Sequence, residues 1–125
     1  MFSDTFLTPS EERLANILWR EAPITSPELV EFALRELNWK KSTTYTVLRK
    51  LCEKGVFINI NATVSVALTR EELISRQSRS YVEDTFGGSL PRFIASFFGG
   101  NKLSEKQAEE LIRQIEEHKG GDGNG

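Results

Sequence analysis

The order of local signals along the 125 residues predicts a mainly α protein. Three helices come first, then a two-stranded hairpin, then three further helices. Three observations predict this. Helix-start signatures recur ahead of apolar stripes with three- and four-residue spacing. Between residues 56 and 68 the apolar period shortens to two. Glycines close the segments, at Gly55, Gly87-Gly88 and Gly99-Gly100.

The first helix opens on Thr8-Pro9-Ser10-Glu11, a capping box with proline at the first helical position. Leu14, Ile17 and Leu18 follow, and the helix ends near Glu21, ahead of Pro23. Thr25-Ser26-Pro27-Glu28 opens the second helix, with Thr25 and Ser26 competing for the cap. Its apolar positions are Leu29, Val30, Ala33, Leu34 and Leu37. The third helix is expected to start at a Ser42 cap, to bury Val47, Leu48, Leu51 and Cys52, and to stop at Gly55. In the hairpin, Val56, Ile58 and Ile60 form the expected inner face of one strand. Val64, Val66 and Leu68 form that of the other, with Asn61-Ala62-Thr63 as the turn.

Thr69-Arg70-Glu71-Glu72 is a further capping box, stapled by Leu68 and Leu73. The fourth helix carries Leu73, Ile74, Tyr81, Val82 and Phe86. The short fifth carries Leu90, Phe93, Ile94, Phe97 and Phe98. Ser104-Glu105-Lys106-Gln107 opens the sixth, with Ala108, Leu111, Ile112 and Ile115 on one face. The expected division is a first domain over residues 1–70, made of the three helices and the hairpin, a helical region over 71–119 and a flexible tail over 120–125.

Composition removes several chemistries. Hydrophobic residues are 38% and charged residues 27%, which suits one modest core in a soluble chain. The single cysteine, Cys52, is expected to be buried in its helix and inert. With one histidine, His118, zinc sites and histidine-dependent triads lack their parts, so neither metal nor cofactor is expected. There is no glycine-rich phosphate loop and no nucleophile elbow, so an enzyme is not expected either. Glu109-Glu110 and Glu116-Glu117 read as solvated flanks of a helix. The N-terminal residues lack the basic and apolar regions of a signal peptide, and no apolar run suits a membrane span. A cytoplasmic setting is expected.

Charge is distributed unevenly. The net charge is −2, yet residues 37–55 hold five cations (Lys40, Lys41, Arg49, Lys50, Lys54) against Glu53. Residues 71–125 hold seven basic and ten acidic residues. The α-α-α-β-β order is that of a winged helix-turn-helix, whose third helix enters the DNA major groove. Here that helix carries both the basic cluster and a hydroxyl-rich start. Ser42, Thr43, Tyr45 and Thr46 are expected to read bases, and the five cations to contact phosphates. A merely solvated polar face is the alternative for any one of these residues; as a cluster they favour nucleic acid. Leu90, Phe93, Ile94, Phe97, Phe98, Leu111, Ile112 and Ile115 exceed what a winged helix with its own core can cover. A second copy of the chain is the expected cover, the alternative being a larger monomeric core that absorbs the fifth helix.

The segments LTPSEERLANILW, WKKSTTYTVLRKLCEKG and NKLSEKQAEELIRQIEEHK resemble the penicillinase-repressor (BlaI/MecI/CopY) family of bacterial transcriptional regulators, over residues 7–119. In the middle segment Trp39, Thr43, Thr46, Leu48, Leu51, Lys54 and Gly55 fall at the family's spacing. The resemblance implies a cytoplasmic homodimer that binds an inverted-repeat double-stranded DNA operator and represses transcription. It also implies a sensor protease as partner, cutting at the bond equivalent to Ser96–Phe97, where the family usually has Asn before the Phe. This chain departs from the family in two further ways. Its wing has no Lys or Arg between Lys54 and Arg70, and it lacks the cysteine pairs of the copper-responsive branch. The competing expectation is a winged-helix adaptor that binds proteins without sequence-specific DNA binding.

Overall fold

The computed structural model describes residues 5–120. Apart from Gly120, the expected flexible tail lies outside these residues. The elements are α1 (Pro9–Glu21), β1 (Ile24–Thr25), α2 (Ser26–Leu37), α3 (Lys41–Glu53), β2 (Phe57–Ile60), β3 (Thr63–Val66), α4 (Arg70–Phe86), α5 (Leu90–Phe97) and α6 (Glu105–His118). This is a winged helix followed by further helices.

Local chemistry explains where the helices begin. Thr8, Thr25 and Thr69 each accept a hydrogen bond from the backbone N–H three residues on, and Glu11, Glu28 and Glu72 in turn accept one from the cap N–H. The competition at α2 therefore goes to Thr25, which leaves Ser26 buried. Asn38 ends α2 in the left-handed region, which its short polar side chain tolerates.

One core serves the first three helices and the sheet. Leu14 and Leu18 of α1 meet Leu29 and Ala33 of α2, Leu48 and Leu51 of α3, and Val56, Phe57 and Val64. Leu73 of α4 joins them. The chain divides into two compact units, Met1–Gly88 and Ser89–Gly125. Helix α4 thus belongs with the winged helix, beyond the boundary expected at residue 70.

The sheet departs from expectation in three ways. It has three strands, in the order β1-β3-β2, because Ile24 pairs with Val64 and Thr25 with Thr63. A two-residue strand is too short to show a period. The inner face of β2 is also reversed: Phe57 is buried, while Ile58 and Ile60 are exposed, Ile60 by 64%. Val56 lies outside the ladder, where its carbonyl accepts from both Ala67 N and Leu68 N. The strand begins one residue later, and a one-residue shift exchanges the faces. Phe57 packs against Trp19 at 5.6 Å between ring centroids. Third, the turn is a two-residue loop of Asn61 and Ala62, and Thr63 already pairs with Ile60.

Asn61 and Ala62 both have positive φ, 52° and 65°. Tight hairpins of this type favour glycine at the second position. An alanine there costs about 1 kcal/mol. Ala62→Gly is expected to stabilise the fold by about 0.5–1 kcal/mol, read as a higher urea midpoint at unchanged slope. A lower midpoint would mean that the loop adopts another conformation.

Candidate nucleic-acid interface

Helix α3 begins at the N-cap Lys40, and no side chain caps it. The expected Ser42 cap is not formed, because Ser42 already lies inside the first turn. No acidic residue occupies that turn. Its free N–H groups and the positive end of the helix dipole therefore stay open to an anion.

The helix is sharply two-faced. Thr44, Val47, Leu48 and Leu51 are buried, and Thr44 Oγ1 donates to Lys40 O at 3.2 Å. Thr44 takes the place in the buried stripe that was expected for Cys52. Cys52 is half-buried near the helix end, and burial pushes its thiol pKa up. On the other side Lys41, Ser42, Thr43, Thr46, Arg49 and Lys50 are exposed, as is Lys40 before them. Among the described residues, none of Lys40, Lys41, Arg49 and Lys50 has an ion-pair partner, whereas Arg20 and Arg113 pair with neighbouring glutamates.

Two expected site residues are engaged inward. Tyr45 is half-buried against the core, with its hydroxyl 3.4 Å from Ser26 Oγ. Lys54 Nζ lies 2.6 Å from Glu11 Oε1 and 2.9 Å from Phe6 O. Glu11 itself is 3% exposed. Its burial pushes the carboxyl pKa up, but hydrogen bonds from Lys54 and from Thr8 N outweigh this and hold it below the ordinary value. The ammonium of Lys54 thus balances a buried charge. Sequence reading missed this pair, although a glutamate on the Leu14-Leu18 stripe was a signal that a cation had to meet it.

The wing is uncharged and anchored. Ser26 N donates to Ala62 O at 2.8 Å, which ties the loop to the start of α2.

In the second unit no residue of α5 or α6 is buried. Leu90, Phe97, Phe98, Ile112 and Ile115 are exposed, and Phe93, Ile94 and Leu111 are half-buried. Leu90, Ile94 and Phe98 share an apolar hollow with Ile115. The Ser96–Phe97 bond lies in the exposed last turn of α5, where Ser96 O accepts from Gly99 N. Among the described residues, no cluster of His, Cys, Asp and Glu could hold a metal ion, and no helix is long and apolar enough to cross a membrane.

A family model described as penicillinase repressor matches residues 7–117. The chain is also 21% identical, over 117 residues, to a penicillinase repressor of Bacillus licheniformis. That match covers 90% of this chain and 91% of the relative.

Proposed function

The chain belongs to the penicillinase-repressor family, and from that premise we propose that it is a DNA-binding transcriptional repressor acting as a homodimer on an inverted-repeat operator. The observation that carries this reading is the solvent face of α3. Ser42, Thr43 and Thr46 lie there among four cations that have no ion-pair partner among the described residues. Hydroxyls and threonine methyls reach base edges, while Lys40, Lys41, Arg49 and Lys50 neutralise phosphates. Tyr45 supports the helix from its inner flank through Ser26. The uncharged wing adds little electrostatic attraction, so α3 supplies most of the affinity. The exposed apolar residues of α5 and α6 pair two copies, which presents two α3 helices to two half-sites. Cleavage between Ser96 and Phe97 by a sensor protease would separate α6 from the winged helix and release the operator.

Two substitutions separate the roles on α3. Thr46→Ala is expected to weaken binding to the operator by about 1–3 kcal/mol and to leave nonspecific binding almost unchanged. Equal loss on scrambled DNA would remove Thr46 from base readout. Lys41→Ala is expected to lower affinity on every sequence and to reduce the slope of log K against log salt by about 1. An unchanged slope would place Lys41 away from phosphate.

A further inference from the structure

Within the first unit, α1, α4 and the arm before α1 line a cavity of about 250 Å³. Phe6, Trp19, Leu73 and Ile74 supply its apolar lining. Two full charges line the same cavity, the Arg70 guanidinium and the Glu12 carboxylate. Arg70 bonds to Asn16 Oδ1 and lies 4.9 Å from the centre of the Trp19 ring. Neither Arg70 nor Glu12 has an ion-pair partner among the described residues. Glu12 and Asn16 are four residues apart on α1, ~6 Å along the helix axis. A cation and an anion thus line one hollow, with no ion pair between them. The arm is held in place from two sides: Gln77 Nε2 donates to Thr5 O at 2.7 Å, and Lys54 Nζ to Phe6 O at 2.9 Å.

We propose that this cavity binds a free α-amino acid with a bulky apolar side chain. Arg70 takes the carboxylate, Glu12 takes the ammonium, and the side chain lies against Trp19 and Ile74, which is 50% exposed. A concave apolar floor with a few convergent polar groups is the usual form of a small-molecule site. The site is separate from the exposed face of α3. Its test needs no DNA, so it stands or falls apart from the operator reading.

The test is calorimetric titration of the full chain with L-phenylalanine and L-leucine. The controls are 3-phenylpropionate, which lacks the ammonium, and phenethylamine, which lacks the carboxylate. At least one of the two amino acids is expected to bind with a dissociation constant below about 1 mM, and each control at least about tenfold more weakly than the tighter of the two. Glu12→Gln, a change at an exposed position, is expected to weaken amino-acid binding about tenfold and to leave 3-phenylpropionate unaffected. Absence of binding by both amino acids at about 10 mM would overturn the proposal. So would equal binding of 3-phenylpropionate and the tighter amino acid, or an amino-acid affinity indifferent to Glu12→Gln.

Discussion

Ile115→Asp is expected to leave a folded monomer that binds the operator about a hundredfold more weakly, or worse. Ile115 is 52% exposed in the single chain, so the substitution removes nothing from the core of the first unit. In the proposed homodimer its effect falls on the contact between copies. Ile115 shares an apolar hollow with Leu90, Ile94 and Phe98, and a two-fold interface would bury each aspartate without a partner. An unpaired charge in such a place costs about 3–5 kcal/mol, and symmetry imposes it twice. Without the second copy, the second half-site is no longer met at high effective concentration. Sedimentation equilibrium and operator titration read the two effects, and the thermal melt of the first unit is expected to stay unchanged. A variant that remains dimeric would move the interface off this face of α6.

Lys54→Ala is expected to destabilise the first unit by about 2–4 kcal/mol while leaving the salt dependence of DNA binding unchanged. The loss arises because Glu11 stays behind, 3% exposed, with the Thr8 cap but no cation. Glu11→Gln keeps the capping box and removes the charge, so adding it to Lys54→Ala is expected to recover part of the loss. The pH dependence follows from the same pair. The Glu11 carboxyl is held below its ordinary value of 4.5. The stabilisation is therefore complete above that value and is lost as the pH falls through the lower folded one. In Lys54→Ala the folded value rises, and the acid limb of stability flattens. Urea unfolding between about pH 3 and 7 reads this. A salt slope reduced as far as in Lys41→Ala would instead place Lys54 on phosphate.

These two residues also mark how far the sequence could be read. The exposed apolar residues of α5 and α6 were legible because they exceed what a small core can cover. The caps at Thr8 and Thr69 were legible because a capping box is complete within four residues, whereas at α2 Thr25 and Ser26 both stood as candidates. What escaped depends on contacts distant in sequence. Lys54 counts as one more cation until Glu11, 43 positions away, is known to be buried beside it. Ile24 and Thr25 show no strand signal until β3 lies alongside them. The face of β2 turned on whether the ladder begins at Val56 or Phe57, and periodicity alone does not distinguish the two. The grouping of α4 with the first compact unit was not visible either, because an apolar stripe does not say which core it joins. Its one buried residue, Leu73, belongs to the winged helix. On α3 the polar cluster was legible, but the inward turn of Tyr45 depended on Ser26, which becomes visible as a partner only once Thr25 takes the cap.

In the proposed function, two copies of this chain read one DNA site through α3. Fluorescence anisotropy tests it most directly, with the full chain, its own upstream intergenic DNA and a scrambled control, at two salt concentrations. The expected result is a complex with the upstream DNA that saturates at two protomers per site, weakens steeply with salt, and is far stronger than that with the scrambled DNA. Equal binding to both DNAs, or no binding at low salt, would contradict it and turn the search to a protein partner.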